Sequence, residues 1–249
     1  MAYGRGAAAV RAIEDVSLGI ASGEFIAVVG PSGCGKSSLM RLVSGLHPPL
    51  AGTLTVEGKP VTGPIKSVGM AFQNSNLLPW RNAIGNVLLP LEIVEPYRSS
   101  FRNEKKSYEE KARDLLISVG LTGFTEKYPW ELSGGMQQRT SICRALIHEP
   151  EILMLDEPFG ALDAFTREEL WCALRDLQAE RKVTVMLVTH DLREAVFLAD
   201  TVYVMSGHPG RVLKRCEVNI ARPRDLDVTY TQDFQDLVHE LRNLIGARH

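Results

Sequence analysis

The sequence predicts an α/β fold built on a mostly parallel sheet. Short, uniformly apolar segments such as Phe25 to Val29, Ile152 to Leu155 and Val183 to Val188 alternate with helical stretches. Strands that are apolar on both faces belong to a sheet covered by helices on both sides. A helical middle, about residues 74 to 150, interrupts the alternation and reads as an inserted subdomain.

In order, Glu24 to Val29 is a buried strand ending at Gly30, and Lys36 to Leu46 a helix. Thr53 to Val56 and Val68 to Phe72 are strands separated by Gly and Pro turns. Pro96 to Lys106 is polar and basic and reads as a mobile surface insertion. In Glu109 to Val119, the residues Ala112, Leu115, Leu116 and Val119 recur at helical spacing. Met136 to Ile147 is a second helix of the middle region. The strand Ile152 to Leu155 precedes a helix over Ala164 to Glu180, with Leu170, Leu174 and Leu177 on one face. The strand Val183 to Val188, the short helix Leu192 to Leu198 and the late strands Val202 to Met205 and Val212 to Val218 follow. Phe234, Leu237, Val238, Leu241, Leu244 and Ile245 mark a final amphipathic helix. The expected layout is one domain over 1–249: a core of about 1–73 and 151–220, the helical insert 74–150, and a helical extension 221–249.

Composition narrows the classes. At 249 residues the chain is long enough to bury a substantial core. Apolar residues are 45% and charged residues 23%, which excludes a disordered or collagen-like chain. The net charge of -2 argues against a dedicated nucleic-acid binder. No apolar run reaches the roughly 18 residues that would span a bilayer. Cys34, Cys143, Cys172 and Cys216 are scattered without metal-ligand spacing and read as reduced, mostly buried thiols.

Three segments carry chemistry. Gly30-Pro31-Ser32-Gly33-Cys34-Gly35-Lys36-Ser37 fits G-x-x-x-x-G-K-[ST], between a strand and a helix. Its glycines let successive N–H groups face one phosphate chain at a helix N-terminus. Lys36 reaches the β- and γ-phosphates and Ser37 offers a hydroxyl to Mg²⁺. Ile152 to Glu157 is an apolar strand closed by two carboxylates: Asp156, suited to Mg²⁺, and Glu157, suited to polarising a water. Leu132-Ser133-Gly134-Gly135-Met136-Gln137-Gln138-Arg139 opens a helix on a Ser-Gly-Gly turn, a second anion-binding N-terminus. One nucleotide should not need two cradles in one chain, so the second is expected to serve the nucleotide of another subunit.

These motifs, with Gln73 in Ala71-Phe72-Gln73, Asp163 in Ala161-Leu162-Asp163 and His190 in Val188-Thr189-His190-Asp191, resemble the ATP-binding cassette (ABC) ATPases over nearly the whole chain. The resemblance implies a P-loop NTPase core, an antiparallel β subdomain and an inserted helical subdomain. It implies that ATP is held by Tyr3, Gly30, Pro31, Ser32, Gly33, Cys34, Gly35, Lys36, Ser37 and Ser38, and by Ser133, Gly134 and Gly135 of the opposite subunit. Mg²⁺ would be held by Ser37, Gln73 and Asp156. Glu157, His190 and Gln73 would be catalytic, and Asp163 would communicate across the dimer. The implied partners are a second copy or a paralogous ATPase subunit, an integral-membrane permease, and a periplasmic or lipid-anchored solute-binding protein. No nucleic acid is implied. The expected location is the cytoplasmic face of a bacterial inner membrane.

Phe72-Gln73 leading to Leu77-Leu78-Pro79-Trp80, Glu194 to Asp200, Pro209-Gly210-Arg211-Val212 and Arg222-Pro223-Arg224-Asp225 resemble the nitrate/sulfonate/taurine importer branch. The implied activity is ATP hydrolysis powering uptake of a small anionic solute. A DNA- or ribosome-directed cassette would show paired cassettes or coiled-coil heptads, and a P-loop kinase would not explain Ser133 to Gly135 or His190. Two departures stand out. The family begins with a strand ahead of its adenine-stacking aromatic, whereas this chain starts almost at Tyr3, so a strand is expected upstream. Gly160 replaces the more common Ser before Asp163. Trp80, after Pro79, is expected on the surface as the anchor for a permease helix.

Overall fold

The computed structural model describes residues 2–3, 10–160 and 162–246, with the side chains of Ala2, Tyr3 and Val10 left aside. The strands are β1 (Ala2–Tyr3), β2 (Val10–Arg11), β3 (Phe25–Val29), β4 (Thr55–Val56), β5 (Lys59–Pro60), β6 (Val68–Ala71), β7 (Ile152–Asp156), β8 (Thr184–Thr189), β9 (Thr201–Met205) and β10 (Val212–Glu217). The helices are α1 (Lys36–Val43), α2 (Ala83–Leu88), α3 (Tyr97–Ser118), α4 (Gly134–Leu146), α5 (Ala164–Arg181), α6 (Leu192–Leu198) and α7 (Gln232–Gly246). Contacts gather into two compact units, residues 1–65 with 184–249, and residues 66–183.

In the first unit β3 lies between β8 and β9 and runs parallel to both, with Ile26 opposite Met186 and Thr201. β10 closes this edge antiparallel to β9, with a register shift between Val212 and Lys214. All five residues of β3 are buried, as its unbroken apolar run requires of a strand covered on both faces. Each such Val or Ile contributes about 1.5–3 kcal/mol by leaving water. β4 and β5 form a separate antiparallel pair. Phe197 of α6 and Phe234 and Leu241 of α7 complete the core of this unit.

In the second unit β6 and β7 pair in parallel, Val68 opposite Ile152 and Ala71 opposite Leu155. Leu115 and Leu116 of α3, Ile142 of α4 and the flanking Leu91, Leu121 and Ile147 are fully buried, as the helical spacing predicts. Pro96 to Lys106 departs from expectation. It is not a loose insertion but the first turns of the 22-residue α3. Aromatic contacts hold it: Tyr97 meets Tyr108 edge-on at 6.1 Å, and Phe101 stacks on Tyr108 at 6.0 Å. The Tyr97 hydroxyl also donates to the His148 carbonyl at 3.1 Å. All four cysteines are free thiols, and Cys34, Cys143 and Cys216 are buried. Burial pushes the Cys143 thiol up to about 12.

Candidate active site

The phosphate loop belongs to the first unit, and its shape is enforced by steric exclusion. A Cβ on Gly30 would lie 2.9 Å from the Met205 carbonyl oxygen and 3.1 Å from Cys34 Sγ. Gly35, at φ +98°, caps α1 in the left-handed region, and a Cβ there would sit 2.4 Å from Ile13 Cγ2 and 2.8 Å from the Ala12 carbonyl oxygen. Lys36 opens α1 and is only 6% exposed. Its Nζ folds back to donate to the carbonyls of Gly30 at 2.9 Å and Pro31 at 3.1 Å. A buried ammonium held by neutral carbonyls is a cation that an anion would satisfy better. The loop therefore fits a nucleotide phosphate chain: no room for a Cβ at Gly30 or Gly35, a left-handed φ of +77° at Gly33, and a positive charge beside them. Ser32, Gly33 and Ser37 are placed along it, Pro31 is half-buried and Ser38 is buried.

His190, exposed, follows the end of β8. The residues on either side of it are fixed. Thr189 donates through Oγ1 to the buried Glu194 at 2.5 Å and accepts from the Asp191 N–H at 3.0 Å. Asp191 caps α6, accepting from the N–H groups of Arg193 at 2.8 Å and Glu194 at 3.3 Å. At the other end of α6, the buried Arg224 donates to the carbonyls of Phe197 and Ala199 at 3.0 and 2.7 Å. Burial lowers the Arg224 guanidinium to about 10. A cavity of about 900 Å³ is lined by Ile13, Val16, Leu39, Leu42, Leu50 and Leu54 among others.

The second unit carries the remaining candidates. Asp156 closes β7, half-buried. Glu157 takes a left-handed φ of 47°, a conformation that costs about 1–2 kcal/mol for a residue with a side chain. Ser133 caps α4, its Oγ accepting from the Met136 N–H at 3.3 Å. Gly134 is exposed, while a Cβ on the buried Gly135 would meet Thr166 Cγ2 at 2.3 Å. Asp163 caps α5 through the Thr166 N–H at 3.0 Å, and that bond holds its carboxyl below the usual range. Gln73 is exposed, its Nε2 3.3 Å from where a Cβ on Gly160 would stand. Ala161 lies outside the described residues, as does the ring of Tyr3, although the Tyr3 backbone pairs with Val10.

Sequence reasoning misses what holds the Gln73 loop. Gln138 Nε2 donates to the Phe72 carbonyl at 2.9 Å. Arg144 donates to the carbonyls of Ser75 at 2.7 Å and Asn76 at 2.9 Å. Ser75 Oγ donates to Gln137 Oε1 at 3.2 Å. No spacing rule signals such contacts, because side chains of α4 reach backbone atoms far away in sequence. Leu77 and Leu78 are half-buried, and Trp80 is 71% exposed.

The sequence pattern of the family described as "ABC transporter" matches residues 13–160. The chain belongs to this family. It is 42% identical, over 90% of its length and 84% of the relative's, to the aliphatic sulfonates import ATP-binding protein of Bacillus licheniformis. It is 46% identical to the taurine import ATP-binding protein of Escherichia coli, over 85% of this chain and 80% of that one. Among solved structures it is similar to a dimeric ATP-binding cassette in a post-hydrolysis state bound to ADP and Pi. There the TM-score is 0.74 and identity 29%, covering 88% of this chain and 96% of that chain. The expected ABC ATPase fold is thereby borne out, with a mostly parallel sheet and a separate antiparallel strand pair.

Proposed function

We propose that this ABC ATPase powers uptake of a small anionic solute of the sulfonate or taurine class through a separate permease. The observation that carries the reading is the pair of glycine cradles at helix N-termini, Gly30 to Lys36 leading into α1 and Ser133 to Gly135 opening α4. The sulfonate and taurine relatives support the solute class.

In this reading Lys36 leaves its two loop carbonyls to donate to the β- and γ-phosphate oxygens of ATP, and the loop N–H groups orient the phosphate chain. Ser133, Gly134 and Gly135 of a second copy, or of a paralogous subunit, donate to the γ-phosphate and exclude water. Ser37, Asp156 and Gln73 would hold Mg²⁺, which when bound neutralises charge on the phosphate oxygens. Glu157 orients the attacking water and accepts its proton, His190 contacts the γ-phosphate, Tyr3 stacks on adenine, and Asp163 relays dimer closure. Most of the rate comes from positioning and electrostatics. The functional layout is a single cassette over 1–249, with core segments 1–73 and 151–220, a helical insert 74–150 and an extension 221–249.

No helix among the described residues is long and apolar enough to cross a membrane. In this reading the work done by the chain reaches the solute through partners, a permease and a periplasmic or lipid-anchored binding protein, at the cytoplasmic face of a bacterial inner membrane. Trp80 is the proposed anchor for the permease, an exposed aromatic in the loop that follows Gln73. Lys36→Ala should reduce ATP turnover at least ~100-fold with the fold intact by circular dichroism; near-normal turnover would overturn the site. Trp80→Ala should weaken co-purification with the permease and abolish solute uptake while basal ATPase stays within about two-fold. Unchanged uptake would place the docking surface elsewhere.

A further inference from the structure

The start of the Gln73 loop, residues 72–76, has little apolar anchorage, and the half-buried Leu77 and Leu78 follow it. Phe72, Gln73 and Asn74 are exposed. What ties residues 72–76 down is polar and comes from one helix; Leu78, further on, is held separately by Asn86 of α2, whose Oδ1 accepts from the Leu78 N–H at 2.7 Å and whose Nδ2 donates to the Leu78 carbonyl at 3.1 Å. Gln138, 3% exposed, holds the Phe72 carbonyl; Arg144 spans the Ser75 and Asn76 carbonyls; and Gln137 accepts from the Ser75 hydroxyl. These side chains project from α4, the helix whose N-terminus is Ser133-Gly134-Gly135. Gln137 also grips the turn just before that N-terminus, donating to the carbonyls of Pro129 at 2.9 Å and Leu132 at 3.2 Å. Burial lowers the Arg144 guanidinium, in keeping with a cation committed to carbonyls rather than to solvent.

We infer that Gln138 and Arg144 are positioning residues that strap the Gln73 loop to α4, so that Gln73 and the Ser133 to Gly135 turn shift as one piece. They act by fixing backbone carbonyls on both sides of Gln73. A disturbance at the loop is thereby delivered to the N-terminus of α4 without passing through the apolar core. The inference rests on the ATPase reading above for its consequence, but not for its mechanics.

The test uses the full chain and two readouts. In Arg144→Ala, amide exchange over residues 73–76 should accelerate at least ten-fold, while exchange in β3 stays unchanged. The freed carbonyls of Ser75 and Asn76 lie in a surface loop, so water can take over as donor and the melting temperature should fall little. ATP turnover should fall about ten-fold with the KM for ATP within two-fold, because the phosphate loop is untouched. Arg144→Lys, which keeps a donor, should recover part of both readouts. Gln138→Met, similar in shape but without a donor, should reproduce the loss. Unchanged exchange at 73–76 overturns the inference, since something else then holds that stretch. Faster exchange with unchanged turnover also overturns it, since the loop's position then does not matter. A wild-type protein that fails to hydrolyse ATP would instead overturn the function proposed above, and the strap would then stand or fall on the exchange readout alone.

Discussion

The phosphate loop and the Gln73 loop are held by opposite means. Around Gly30 to Lys36 the neighbours are backbone and rigid side chains: Met205, Ala12 and Ile13 stand where a Cβ would go, and Gly210 presses on Cys34 so closely that a Cβ there would fall 1.9 Å from its carbonyl oxygen. Around Gln73 the neighbours are the ends of long polar side chains, Gln137, Gln138 and Arg144. Close packing cannot yield without strain, whereas hydrogen bonds at a surface exchange with water at small cost. The first loop is therefore preformed, suited to electrostatics that must not reorganise during reaction. The second is adjustable, suited to an element that changes place as a partner comes and goes.

The largest effect is expected where the rigid loop is violated. Gly35→Ala forces a left-handed φ on alanine and drives its methyl into Ile13 and the Ala12 carbonyl. The cost should be about 2–4 kcal/mol of stability, with ATP affinity lost more than ~10-fold. Thermal unfolding and a fluorescent-nucleotide titration would check both. A Gly35→Ala protein that melts and binds like wild type would mean that the loop is as adjustable as the other one.

Glu157→Gln comes next and leaves packing alone. The amide has the same shape and keeps the left-handed turn but cannot accept the water's proton. Turnover should drop about 100-fold or more while ATP binding persists. A dimer should then accumulate with ATP and Mg²⁺, visible by size-exclusion chromatography. A variant that turns over at the wild-type rate would remove Glu157 from the chemistry.

The same contrast governs what is legible in the sequence. The rigid elements are readable, because sterics leave marks in residue type: glycines at Gly30, Gly33 and Gly35, an unbroken apolar run in β3, caps at Ser133, Asp163 and Asp191. Apart from α3, the strand and helix positions read from those marks agree with the structure to within a few residues. The polar strap leaves no mark, since Gln138 and Arg144 look like any surface residues of an amphipathic helix. The first turns of α3 mislead for a related reason. Their polar composition suggests a loose insertion, but three aromatics and a hydroxyl bonded to the His148 carbonyl supply stability that depends on which residues meet in space. A strand-tip histidine such as His190 is equally ordinary in isolation and acquires meaning only beside the other motifs.

The smallest effect is expected at Gly160, and it is the sharpest test of the contrast because the change is of the same kind as at Gly35. Here too a side chain is added to a glycine, but Gly160 is exposed and its φ is not left-handed. The new Cβ would approach Gln73 Nε2 at 3.3 Å and the Glu157 carbonyl oxygen at 3.6 Å. The nearer of these is the far end of a flexible amide, which can swing a few tenths of an ångström by a rotamer adjustment. Gly160→Ser should therefore change stability by less than about 0.5 kcal/mol, in the range of ordinary surface substitutions. Turnover should stay within about two-fold, because the Gln73 loop can absorb the contact. Steady-state ATPase assays alongside thermal melts would measure both. A ten-fold loss of turnover at unchanged melting temperature would mean that Gln73 is held as tightly as the phosphate cradle, and the division between a preformed and an adjustable loop would fall.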